Sequence, residues 1–189
     1  MTVMCRLATL IAVTLAFAPH LPAQSPSDSD VARLRTLFFQ RNFETAAIEG
    51  QKRMAAAPRS TELKAWTVLN MARSGKADEA VAMAREMAAA APQDPWATAA
   101  LAAALHYQAD HTAEAIDTAK RALDLMPDHP DMIWLRAQTM AADPKRRDEV
   151  LAFIDSRRSR LKLPAETLNT KGYTLYAIGT AQPADDAKV

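Results

Sequence analysis

The sequence has almost no cysteine. Cys5 is the only one, and it lies in a segment read below as a removable leader. The mature chain then has none, which excludes a disulfide framework, a thiol nucleophile and a cysteine-ligated metal site together. Glycine is scarce too, with four residues in 189, and long β-branched runs are missing. Both argue for helices and against sheet. No Gly-rich phosphate loop follows a strand pattern, no serine sits in a nucleophile-elbow context, and no pair of acids can be placed across a cleft. Excess charge of one sign is also lacking. Lys and Arg number 23 against 22 Asp and Glu, and the leader removes Arg6 but no acid. A balanced mature chain is not built to hold nucleic acid or an anionic membrane by bulk charge. The expectation is a non-catalytic protein with no cofactor and no metal site.

What is present begins with an address. Met1 to Arg6 carry one positive charge, and Leu7 to Ala18 form an apolar run too short to span a bilayer but suited to the core of a secretory signal peptide. Pro19 to Ala23 supply its helix-breaking end. The sequence therefore predicts a signal peptide over 1–23, cleavage before Gln24 and no stable membrane insertion afterwards. The expected location is the periplasm of a Gram-negative cell, with secretion as the other exported fate. Residues 24–29 read as a flexible linker, 30–179 as a helical domain and 180–189 as a disordered tail.

Within 30–179 the apolar residues recur at helical spacing, and prolines punctuate them. Asp30, Ser60, Asp78, Asp94 and Asp143 are expected N-caps, with Pro95 and Pro144 in first turns. The helices pair into hairpins with a fixed period. The stopping prolines Pro58, Pro92 and Pro127 fall 34 and 35 residues apart, and so do the small residues Ala46, Ala80 and Ala115. The extra residue of the third unit is assigned to its turn, Ala109 to His111. A ninth helix, carrying Leu168, Tyr173, Leu175, Tyr176 and Ile178 as its apolar residues, is predicted to end at Gly179 and to cap the array by packing on helices seven and eight.

A helix-turn-helix period of this length resembles the tetratricopeptide repeat family, and of that family an exported bacterial member. The resemblance covers Asp30 to Gly179. It is carried by Asn42-Phe43-Glu44, Ala46 and Pro58 in the first unit, and by Gly75-Lys76-Ala77-Asp78-Glu79-Ala80 and Pro92 in the second. In the third it rests on Leu101, Ala102, Leu105, Ala115, Ala122 and Pro127. Leu168, Gly172-Tyr173 and Leu175 match the opening helix of a further unit. Departures are the shifted tryptophans Trp66, Trp96 and Trp134, and Val150 in place of the fourth unit's small alanine. The resemblance implies an all-α, right-handed superhelix of antiparallel helical hairpins, about four units and a C-terminal capping helix, whose first helices line a concave groove.

The function it implies is a protein-protein interaction scaffold of the cell envelope, binding a peptide or helix of a protein partner in that groove. By analogy the groove-facing residues are Arg35, Leu69, Arg73, His106, Trp134, Gln138, Tyr173 and Tyr176. The lysine-asparagine set with which some members clamp a peptide's terminal carboxylate is absent. The alternative is a structural subunit of an envelope assembly or polysaccharide-export complex, docking through its C-terminal helix. His106, His111 and His129 show no metal-binding spacing. The basic run from Lys145 to Lys162 reads as a solvated helix face, with Arg157, Arg158, Arg160 and Lys162 complementing the helix dipole near its end.

The repeat register is open to a direct test. Ala115→Asp places a charge where two helices are expected to touch, and should lower the unfolding free energy by about 3 kcal/mol or more in a denaturant titration. An unchanged unfolding curve would show that the repeat phase is misassigned.

Overall fold

The structure, a computed structural model, describes residues 26–181. The signal peptide read over 1–23 and the tail beyond Ala181 lie outside the described residues. Among those residues there is no strand. The nine α-helices are α1 (Pro26–Phe39), α2 (Phe43–Ala56), α3 (Thr61–Arg73), α4 (Ala77–Ala90), α5 (Pro95–His106), α6 (Thr112–Leu125), α7 (Pro130–Ala141), α8 (Arg147–Arg158) and α9 (Ala165–Ala181). Short 3-10 turns at Ala109–His111 and Pro144–Arg146 lead into α6 and α8. The first of these is the turn to which the sequence assigned the third unit's extra residue.

Successive helices form antiparallel hairpins that stack, with α1, α3, α5 and α7 as a contiguous inner layer and α9 packed on α7 and α8. The result is an all-α superhelix. The small residues that set the repeat period sit in its tightest contacts: Ala46 and Ala80 are 0% exposed and Ala115 is 1% exposed. Val150 occupies the equivalent place in the fourth hairpin and is also fully buried, so that unit accommodates a larger side chain at the same contact.

Local chemistry explains most of the boundaries. The Ser60 hydroxyl accepts the Leu63 N–H, and the Asp94 carboxylate accepts the N–H groups of Trp96 and Ala97. Asp143 caps the 3-10 turn before α8 through the Lys145 N–H. Gly75 has φ +90°, and the N–H of Lys76 returns to the Met71 carbonyl at 3.0 Å. This is the six-to-one closure of a helix end through a left-handed residue. Position 41, one period earlier, closes α1 the same way. The Asn42 N–H reaches the Leu37 carbonyl at 2.9 Å, but the left-handed residue there is Arg41, at φ 61°.

Several expectations are corrected. Asp30 is not a cap, because α1 begins at Pro26 and takes up the last residues read as linker. Asp30 instead pairs with Arg53 on α2. Asp78 does not cap α4, which starts at Ala77; its carboxylate accepts from Gln108 at 2.8 Å. Gly179 does not end α9, which continues to Ala181. The buried face of α9 is not the one that carries its large apolar residues. Thr167, Thr170 and Thr174 face the array, at 0%, 4% and 2% exposure. Leu168, Tyr173, Leu175 and Tyr176 are exposed. The threonines follow one helical stripe at i, i+3, i+7, and the hydroxyls of Thr170 and Thr174 are satisfied by the carbonyls four residues back.

One close approach limits the fold more sharply than any alanine. A Cβ added to Gly50 on α2 would sit 2.4 Å from Thr67 Oγ1 and 2.9 Å from its Cγ2 on α3. Thr67 cannot swing away freely, since its hydroxyl donates to the Leu63 carbonyl and the side chain is fully buried. Gly50→Ala should therefore destabilise the protein by about 1–3 kcal/mol despite alanine's better helix propensity. Adding Thr67→Ala should recover most of that loss in the same denaturant measurement. A Gly50→Ala protein as stable as the parent would refute the close contact.

Candidate functional site

The inner layer is closed at one end by its own side chains. Phe38 on α1 meets the Trp66 ring on α3 and the Trp134 ring on α7 edge-on, each at 5.7 Å between centroids. The two indoles stack 6.4 Å apart with planes 13° from parallel. Beside this cluster Arg35 makes a two-pronged ion pair with Asp131, with Nη2–Oδ1 at 2.7 Å and Nη1–Oδ2 at 3.2 Å. Burial pushes the Asp131 carboxyl upward in pKa, and Arg35 opposes that shift. The first hairpin is thus fastened across the array to α7. Of the residues read as groove-facing, Arg35, Leu69 and Trp134 belong to this closed part: Arg35 is paired, and Leu69 and Trp134 are buried.

Beyond the cluster the concave side stays open. A cavity of about 790 Å³ is lined by Arg41, Arg73, His106, Gln138, Arg147 and Tyr173, with Asn169 and Thr170 on its α9 side. An adjoining recess of about 360 Å³ shares Arg41, Arg73, His106, Gln138 and Asn169, and adds Phe38, Phe39, Phe43, Tyr107, Trp134 and Glu166. The larger cavity therefore brings together four of the eight residues read as groove-facing, namely Arg73, His106, Gln138 and Tyr173, and Trp134 lines the smaller recess. Tyr176 is 70% exposed on α9 and is not among the residues lining either recess. Sequence reasoning missed Arg41, on the turn between α1 and α2, and Arg147, which it placed in a solvated basic run. It also missed Asn169.

Each polar wall residue is held by a different element. Arg73 ends α3, and its guanidinium lies over the Phe43 ring at 4.6 Å and the Tyr107 ring at 4.9 Å. Arg147 opens α8 and donates from Nη1 to the Ala177 carbonyl on α9 at 3.2 Å. Gln138 donates to the Thr170 hydroxyl at 3.1 Å. His106, the last residue of α5, stands edge-on to Tyr107 at 4.7 Å. Burial, reinforced by the Arg73 charge, lowers its pKa to about 4, so the imidazole is neutral at physiological pH. The wall thus offers guanidinium and amide donors and a neutral ring. The larger cavity has no carboxylate, serine or cysteine in its lining.

The other histidines do separate work. His111 bonds Glu114 at 2.9 Å, and His129 Nδ1 accepts the Asp131 N–H at the start of α7. Among the described residues no three His, Cys, Asp or Glu side chains group as metal ligands. In the basic run, Arg146 pairs with Asp143 and Glu149, and Arg157 reaches Asp128. Arg158, Arg160, Lys145 and Lys162 are exposed.

The depressed His106 pKa has a signed consequence. Between pH 6.5 and about 4 the unfolded chain takes up a proton at this ring that the folded chain refuses, so stability falls as pH falls through that window. His106→Gln should flatten this part of the pH–stability profile, measured as the difference in denaturant midpoint between parent and variant across the window. Parallel profiles would contradict a buried neutral imidazole.

No family model matches the sequence, and no curated protein matches it. The fold does have a likeness among solved structures. The crystal structure of a thermophilic TPR protein from Thermus thermophilus superposes with a TM-score of 0.65 over 81% of this chain and 83% of that one, at 14% sequence identity. The architecture built up above, stacked helical hairpins with a small-residue period, is accordingly a tetratricopeptide-like repeat fold.

Proposed function

We propose that this chain is an exported, non-catalytic scaffold of the cell envelope, and that it binds a peptide or helix of a partner protein in the open part of its concave face. The observation that carries this reading is the asymmetry of that face. One end is filled by Phe38, Trp66 and Trp134, while the other keeps a cavity of about 790 Å³, within the range of pockets that enclose a ligand. Its polar side chains are spread over several elements, which suits an extended ligand better than a single small group. Export rests on the leader-like sequence over 1–23, and the periplasm is the location that leader fits best.

A second reading draws on a separate observation. Leu168 and Leu175 lie two helical turns apart on α9 and are 37% and 49% exposed. Between them Gly172 has open space where a Cβ would be. This face, distinct from the one carrying Tyr173, would serve a structural subunit docking through its C-terminal helix into an envelope assembly or polysaccharide-export complex.

Photo-crosslinking in the native envelope separates the two. A crosslinking residue at Tyr173 should give a discrete protein adduct that disappears when Arg73→Glu and His106→Glu are combined. A crosslinker at Leu175 should then give no adduct with the same partner. Adducts from position 175 alone would reject groove binding in favour of the docking subunit.

A further inference from the structure

We infer that the occupant of the concave cavity is an acidic segment of a partner protein, whose side-chain carboxylates are received by Arg41, Arg73 and Arg147. The inference rests on the reading of that cavity as a peptide site and names the chemistry of the peptide. Arg33, Arg35, Arg53, Arg85, Arg146 and Arg157 each pair with a carboxylate of this chain. None of the three cavity arginines has a carboxylate partner among the described residues. They come from the α1–α2 turn, the end of α3 and the start of α8, yet they face one cavity. The aromatic faces of Phe43 and Tyr107 and the Ala177 carbonyl orient two of them without neutralising their charge, so guanidinium donors remain for an acceptor from outside. Glu166 is the single acid, and it lines only the adjoining recess.

Two of the three arginines sit where the local backbone disfavours them. Arg41 takes a left-handed backbone conformation at φ 61°, which an L side chain adopts at a cost. The equivalent position one period later is Gly75. Arg147 places a cation at the N-terminus of α8, where the helix dipole disfavours it. Both positions are explained by a ligand of opposite charge. Three arginines in a recessed cavity also concentrate positive potential in a chain that is otherwise balanced, so an acidic segment is attracted there and not over the surface at large. Nucleic acid would need an extended basic face, and the sequence balances 23 Lys and Arg against 22 Asp and Glu.

Arg41→Gly is the decisive variant, because it should leave thermal stability unchanged or raised while removing one carboxylate contact. The probe is fluorescein-labelled oligoglutamate, with oligoglutamine and inorganic polyphosphate as comparison arms, titrated into the full mature chain. We expect oligoglutamate to bind with a salt-sensitive Kd and oligoglutamine to bind far more weakly. Arg41→Gly should weaken oligoglutamate about tenfold, Arg73→Gln with Arg147→Gln should weaken it further, and Arg121→Gln on the outer helix α6 should change nothing. Equal affinity for the two peptides, or an Arg41→Gly protein that binds as the parent does, would overturn the inference. So would polyphosphate binding more tightly through the same arginines. If crosslinking at Tyr173 captures a partner whose bound segment is not acidic, the peptide-binding reading survives and this inference alone falls. If neither oligoglutamate nor a crosslinked partner is held, both fall.

Discussion

The packing of Phe38 against Trp66 and Trp134 is the contact on which the rest of the molecule depends. A helical repeat array is held mainly by contacts between neighbours, and its hairpins can in principle splay. Here an aromatic from the first helix reaches the seventh, and the Arg35–Asp131 pair, formed between residues 96 apart in sequence, ties the same two helices. Aromatic pairs add about 0.5–1.5 kcal/mol each beyond their buried area, so the cluster is a substantial share of a marginal total. Its position matters as much as its strength. It fills the concave face at one end and leaves the arginine-lined recess at the other.

That division explains why small residues carry the period while aromatics carry the shape. Ala46, Ala80 and Ala115 let helices approach wherever the same contact recurs. The tryptophans are not periodic, because each answers to a particular neighbour: Trp66 and Trp134 stack on each other, and Trp96 meets His129 edge-on at 5.1 Å. Their shift from the family pattern marks where this array departs from a uniform solenoid and closes on itself.

Repetition and local chemistry made the overall architecture readable in the sequence. Proline spacing, alanine spacing and the caps at Ser60 and Asp94 are short-range signals, and they placed the hairpins closely. What failed was long-range. The buried face of α9 was not read, because Leu168, Tyr173, Leu175 and Tyr176 drew attention by size, although Thr167, Thr170 and Thr174 form the cleaner helical stripe. Small β-branched residues allow close packing on α7 and α8, and the hydroxyls of Thr170 and Thr174 bond back to their own helix, so polarity did not keep them out. Gly50 was passed over for a related reason. A glycine in mid-helix lowers propensity, and the Thr67 side chain that requires it lies on another helix. The cavity was half legible: Arg73, His106 and Gln138 follow from inner-helix position and Tyr173 from the match of α9 to an opening helix, whereas Arg41 and Arg147 enter from a turn and from an outer helix.

The comparison of Arg41 with Gly75 joins these threads. Both residues end the first helix of a hairpin through the same backbone hydrogen bond and the same left-handed conformation, so the fold's requirement at the two places is identical. Glycine meets that requirement without steric cost, and at position 75, where nothing lies within 4 Å of an added Cβ, glycine is present. At position 41 the same turn opens onto the cavity, and a long cationic side chain stands there instead. The backbone explains the conformation of both residues but not the difference between them. That difference follows the location of the cavity, which in turn follows from where the aromatic cluster stops.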